Sequence, residues 1–319
     1  MIRTNIDVPR IPVGDKIQSF FDWLSAHMGG FFDAISSVIG GAVDRLIDVL
    51  GVLDPVVTAV IFALLGLLVK GWKFALTALL GLLLIVSMEQ WETSMQTLAL
   101  VLVSTVVAVA IGLPLGILAA RNRWASTFVK PALDLMQTMP AFVWLVPVVT
   151  LFGIGVVPGV IATIIFALPP GVRFTELGIR SVDAEMVEAS QAFGATPRQT
   201  LLGVQLPLAL PTIMAGINQV IMLALSMAVI SGLVGAEGLG GQVTSAIATL
   251  DLGLGFEAGL SVVILAIYLD RVTASIGQDN GGKGLRVWSR KRTADDEDLT
   301  ADRAGDEEEL TPAVPIKTA

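Results

Sequence analysis

Residues 188–207 read EASQAFGATPRQTLLGVQLP, twenty mixed residues punctuated by Gly and Pro. Upstream, residues 135–172 hold no Asp, Glu, Lys or Arg, and neither do residues 199–236 downstream. About 20 apolar residues cross the hydrocarbon core of a bilayer, so each run is long enough for one or two membrane helices. The quoted stretch is therefore a polar excursion between spans.

Its local chemistry predicts two short helices. Asp183 is placed to cap a helix with Glu185 in its first turn, and the run AEMVEASQAF ends at Gly194, the residue that most easily closes a helix in the left-handed conformation. In ATPRQ, Thr196 is the next N-cap, Pro197 takes the first helical position and Gln199 falls at the capping-box spacing. Segment 174–207 is thus expected to be a hairpin with a tight Gly turn, ending where Leu206-Pro207 meets the next span. Ala184, Ala189, Ser190 and Ala192 keep the first helix slim, which favours docking into a groove on a partner protein. Two other readings share the pattern: a surface hairpin that stabilises the bundle, and a DNA-binding helix-turn-helix. The DNA reading fails on charge. Three Arg against Glu176, Asp183, Glu185 and Glu188 leave no basic face for nucleic acid.

The rest of the chain agrees with a membrane setting. Hydrophobic residues make up 54% of the 319 and charged residues 15%, against about 25% charged in an ordinary soluble domain. The net charge of −8 is largely a tail effect, because nine of the 28 carboxylates lie in 295–309, DDEDLTADRAGDEEE. The absence of cysteine rules out disulfides and thiolate metal sites, and one histidine, His27, leaves little for a metal centre. The opening MIRTNIDVPRIPVGDK has no uninterrupted apolar core of a cleaved signal.

Spans are expected at about 54–70, 72–88, 95–119, 139–154, 157–173, 208–234 and 257–275, seven in all. Before them, residues 1–53 form an amphipathic helical segment with Ile17, Phe20, Leu24, Phe31, Val38 and Leu46 at helical spacing, broken at Gly29-Gly30 and Gly40-Gly41. The division is an N-terminal segment 1–53, two accessory helices in 54–94, a core in 95–275 and a disordered basic-then-acidic tail from 276. Lys70, Lys73, Arg121, Arg123, Lys130, Arg173, Arg180 and Arg198 share one face with the tail, while the opposite loops hold Glu89, Glu92, Glu237, Asp251 and Glu257. By the positive-inside rule the hairpin and C-terminus are cytoplasmic and the N-terminus is outside. Segment 277–283, GQDNGGK, imitates a phosphate-binding loop, but Gly284 replaces the required hydroxyl residue and no strand precedes it.

The pattern E-A-S, three residues, G, nine residues and V-x-L-P resembles the "EAA" loop of the membrane subunits of ABC importers, with Ser190 and Val204 standing for Ala and Ile. The runs LVLVSTVVAVAIGLPLGILAAR, LDLMQTMPAFVWLVPVVTLFGIGVVPGVIATIIFALPP and LPLALPTIMAGINQVIMLALSMAVISGLVG are similar to the permease of bacterial glycine betaine/proline importers. The resemblance covers about 11–292. It implies an all-α polytopic permease with a type I ABC importer core, working as a homodimer with cytoplasmic ATPase subunits and a separate extracytoplasmic binding protein in the inner membrane. ATP and Mg would sit on the ATPase, with no cofactor in this chain. Glu188, Ala189, Ser190, Gly194, Pro197, Leu206 and Pro207 would then couple the permease to the ATPase.

The residues themselves favour an external energy source. Apart from Asp54, Lys70, Lys73, Glu257 and Asp270 near their ends, the expected spans carry no proton- or ion-handling side chain, which disfavours an ion-coupled carrier. Gln137, Met139, Asn218, Gln219 and Ser226 are candidates for the solute path, although Asn218 and Gln219 also suit helix-to-helix bonding. An uncharged path suits a zwitterion such as glycine betaine, with proline or other betaines as further substrates. Choline, carnitine or another small polar solute is the alternative within the class.

Overall fold

The computed structural model describes residues 12–279. Among them the chain is α-helical with short turns and no strand. That is the form lipid imposes, because an unpaired backbone N–H or C=O in hydrocarbon costs several kcal/mol and a helix pairs its own. The tail expected to be disordered begins within α12, which runs to Asp279, and its remainder, with most of the phosphate-loop imitation, lies outside the described residues.

The first helix, α1 (Val13–Gly51), kinks at Met28, where φ is −120° and ψ 17°, beside Gly29-Gly30. The second expected break is absent, and the helix passes through Gly40-Gly41 intact. Packing overrides the glycines there: Val43 is buried, and Ile39, Leu46, Ile47 and Leu50 join the main core. Ahead of the kink Ile17, Phe20 and Trp23 stay exposed.

Two 16-residue helices follow, α2 (Pro55–Lys70) and α3 (Trp72–Ser87), folded back on each other around Gly71. Asp54 caps α2 by accepting from the Val56 N–H at 2.9 Å. At about 1.5 Å per residue each is roughly 24 Å long, short of the ~30 Å hydrocarbon core. The pair is pinned to the core by Tyr268, whose ring stacks on Phe62 and Phe74 at 5.6 and 6.1 Å. The Tyr268 hydroxyl also donates to the Phe62 carbonyl at 2.9 Å.

The core consists of α4 (Trp91–Arg121), α7 (Val156–Arg180), α10 (Leu206–Ile230) and α12 (Leu252–Asp279). Between α4 and α7 run α5 (Arg123–Thr138) and α6 (Leu145–Phe152), bent by 106° across a short 3-10 turn at Ala141–Trp144. Pro140 stands at this bend, and the Trp144 indole secures it by donating to the Met136 carbonyl at 3.2 Å. Between α7 and α10 come the short α8 (Ala184–Ala192) and α9 (Pro197–Thr200). One further short helix, α11 (Leu239–Thr249), links α10 to α12 and was not foreseen from the sequence.

Helix α7 is the post on which the core is assembled. A Cβ added to Gly116 of α4 would lie 2.5 Å from the Thr175 Cβ, and one added to Gly216 of α10 would lie 2.5 Å from the Phe174 Cβ. Side-chain-free positions let these backbones approach closely, which is how helices associate where lipid supplies no hydrophobic force.

All seven expected apolar segments are helical, but not all as separate spans. Four helices are long and apolar enough to cross, namely α4, α7, the rod Pro197–Val234 and α12, and the number reaches six if each bent pair (α1 with α2, α5 with α6) counts as one. Segment 139–154 contains only the 3-10 turn and the eight residues of α6. Helix α7, by contrast, runs past the expected end at 173 to Arg180.

Gly216→Val should overpack the α7–α10 seam and destabilise the purified protein by about 1–3 kcal/mol, seen as a lower unfolding temperature in detergent. Gly203→Ala, which meets nothing within 4 Å, should leave it unchanged.

Candidate coupling site and solute path

The hairpin forms as its local chemistry dictates. An isolated nine-residue helix is marginal, so α8 depends on its ends. Asp183 accepts from the Glu185 N–H at 3.1 Å. At the other end Gly194 turns left-handed with φ +82°. There the Ala195 N–H donates to the Ser190 carbonyl at 3.1 Å and the Gly194 N–H to the Gln191 carbonyl at 2.9 Å. These two bonds make a Schellman closure. The Thr196–Gln199 capping box is complete, with the Thr196 N–H donating to Gln199 Oε1 at 2.8 Å and Pro197 at the first helical position.

One feature differs from the expected hairpin. Leu206-Pro207 is not the start of a separate span, because α9 runs through a π-helical turn at Leu201–Gln205 directly into α10. Proline is tolerated in a helix's first turn, and the wider π turn carries the chain past Pro207, the Leu206 N–H reaching back to the Leu201 carbonyl. The second hairpin helix and the span therefore form one rod, Pro197–Val234.

Glu188, Ala189, Gly194, Pro197 and Pro207 are exposed, and Ser190 and Leu206 half-buried. No residue of α8 is buried, so the whole helix stands free of the bundle. The Ser190 hydroxyl meets that of Thr200 at 3.1 Å, tying α8 to α9 at the position where the EAA pattern has Ala. Sequence reasoning missed Thr200, and also Phe193, which is 93% exposed, and Met186, also exposed. A large apolar side chain beside the closing Gly of an otherwise polar hairpin was the available signal.

The path candidates divide. Asn218 is fully engaged: its amide donates to Asp270 of α12 at 2.8 Å and its carbonyl accepts from Thr273 at 2.8 Å. That is helix-to-helix bonding. Gln219 and Ser226 point the other way, on an exposed stripe of α10 with Ala215 and Met222. Gln137 and Met139 are half-buried at the α5–α6 bend. Met139 lines a recess of about 960 Å³ with Phe20, Phe21, Trp144 and Pro147, between the bend and the first turns of α1. Phe152 packs edge-on against Phe32 of α1 at 5.2 Å.

A polar seam joins α5 to α7. Glu176, its side chain only 7% exposed, accepts from Ser126 at 2.8 Å and pairs with Lys130 at 3.4 Å and Arg180 at 3.0 Å. Arg180 also donates to the Ala119 carbonyl of α4 at 2.8 Å. Further along, Arg173 pairs with Asp134. These contacts explain why α7 outruns its expected end: the buried Glu176 is paired, and Arg173 and Arg180 find partners while staying partly exposed.

The described residues thus form an all-helical bundle with several membrane-length spans that presents a doubly capped hairpin. Residues 112–279 match the family described as "Binding-protein-dependent transport system inner membrane component", and the chain belongs to that family. It is 48% identical to the "Glycine betaine transport system permease protein OpuAB" of Bacillus subtilis, over 87% of this chain and 98% of that one. It is 46% identical to the "Glycine betaine/proline betaine transport system permease protein ProW" of Escherichia coli, over 87% of this chain and 78% of that one. Among solved structures it is similar to the MetNI methionine ABC transporter in an inward-facing conformation, with a TM-score of 0.54, 25% identity, and coverage of 58% of this chain and 92% of that one.

Ser190→Ala should remove one net hydrogen bond, about 1 kcal/mol, and open the hairpin locally. Trypsin should then cut at Arg198 several-fold faster than in the parent protein, while the global unfolding temperature stays the same.

Proposed function

We propose that this chain is the membrane permease subunit of an ATP-driven, binding-protein-dependent importer of compatible solutes, with glycine betaine as the principal substrate and proline betaine and related betaines as further ones. The observation that carries this is near full-length identity of 46–48% with permeases named for glycine betaine. The chain performs no covalent chemistry. ATP and Mg belong to a partner ATPase.

The free-standing α8 docks in a groove of that ATPase, with Glu188 facing a basic residue and Phe193 and Met186 supplying apolar contact. Closure of the ATPases on ATP pushes the hairpin, whose second helix runs on into α10 and whose first is joined to α7 by the turn at 181–183. The stroke thereby turns the path between outward- and inward-open. The hairpin side is cytoplasmic and the N-terminus is outside, in keeping with the basic residues grouped on the hairpin face.

A homodimer is supported by α10. Its exposed stripe of Ala215, Gln219, Met222 and Ser226 follows one helical face and is not covered by any other of the described residues. A Gln side chain turned to lipid is costly, whereas facing a second copy across a hydrated path it is solvated. The wall is then uncharged, as a zwitterion with a quaternary ammonium requires. A separate extracytoplasmic binding protein delivers the solute to the opposite face.

In osmotically stressed cells lacking other osmolyte carriers, the chain with its ATPase and binding protein should take up labelled glycine betaine, and omission of the ATPase should abolish uptake. Glu188→Arg should reduce uptake to background at unchanged membrane level. Uptake without the ATPase would instead make the chain an ion-coupled carrier.

A further inference from the structure

Helix α5 is attached to the bundle in an unusual way. Its buried residues are only Ser126 and Leu133. Trp124, Phe128 and Leu135 lie along an exposed apolar stripe on the other side. Beside Leu133, Val129 and Met136, which pack into the main core, runs a polar row that meets α7, Ser126, Lys130 and Asp134, spaced four residues apart and hence on one helical face. It meets Glu176 and Arg173 of α7, the core helix that leads into the hairpin. The far end of α5 is the bend that carries Gln137 and Met139.

Glycine-packed contacts such as those of α7 with α4 and α10 interlock and resist sliding. A seam of hydrogen bonds and ion pairs, two of whose members (Asp134 and Arg173) remain well exposed to solvent, exchanges partners without opening a void. The α5–α7 contact is therefore built for adjustment, and Glu176 lies only seven residues ahead of Asp183, where the hairpin is capped.

We propose that the Ser126/Lys130/Asp134 to Glu176/Arg173 seam is the joint that positions the α5–α6 bend, so that movement of α7 shifts Gln137 and Met139 relative to the solute path. Glu176 and Arg173 are positioning residues and do not touch solute. This rests on the permease reading above and adds the route by which the stroke reaches the path.

The test uses the full complex of this chain with its ATPase and binding protein in lipid vesicles, with glycine betaine as probe and uptake and ATP hydrolysis read separately. Asp134→Arg and Arg173→Asp should each lower uptake per ATP hydrolysed about tenfold, equivalent to roughly 1.4 kcal/mol, while hydrolysis stimulated by the binding protein persists. The double variant, which restores the pair with its charges exchanged, should recover the ratio. Glu176→Gln should also uncouple uptake from hydrolysis, and Glu176→Asp should do so less. Uptake and hydrolysis falling in proportion, an unchanged ratio in the single variants, or a double variant no better than either single would overturn the proposal. If Glu176→Gln does not assemble, the exposed Asp134–Arg173 exchange decides alone. Absence of ATP-driven uptake by the parent complex would reject the permease reading instead.

Discussion

Close backbone approach around α7 is the constraint on which the rest of the structure depends. Lipid tails are as apolar as leucine, so no hydrophobic force drives one span onto another, and cohesion comes from packing and from hydrogen bonds between helices. At Gly116 and Gly216 there is no room for even a methyl group between α7 and its neighbours. Because α7 and α10 are also the core helices on either side of the hairpin, the seam that holds the core together sets the geometry through which any push on the hairpin would enter it.

Most polar groups within the bundle follow a second rule, that they are paired; among the described residues the buried Ser94 and Thr105 hydroxyls are exceptions. Arg173, Glu176 and Arg180 find partners on α4 and α5. Asp270 and Thr273 on α12 hold both ends of the Asn218 amide. Gln219 turns out of the protomer, and Ser226 on the same exposed stripe bonds to the Met222 carbonyl of its own helix; this outward polar stripe is what supports the proposed second copy.

The legible parts of the sequence were those fixed locally. Asp183, Gly194, Thr196, Pro197 and Gln199 could be assigned cap by cap, because a helix end is decided by residues within a turn of it, and the structure forms each of these caps. Long charge-free runs likewise located α4, α7 and α10. What the sequence hid was decided by distant partners. The charges of α5 made 120–138 look like a loop, since nothing local reports that Lys130 and Asp134, both still exposed, are met by Glu176 and Arg173, about forty residues away in sequence. The same pairing hid the true length of α7. The unbroken passage of α1 through Gly40-Gly41 depends on packing against the core, which no local signal reports. The π turn at Leu201–Gln205 concealed that the second hairpin helix and α10 are one rod.

The central claim is that the hairpin is where energy enters, and its most direct test is contact. A photo-activatable crosslinking residue placed at Phe193 in the full complex, irradiated in membranes, should form an adduct with the partner ATPase. Adducts only with lipid or with a second copy of this chain would contradict the account.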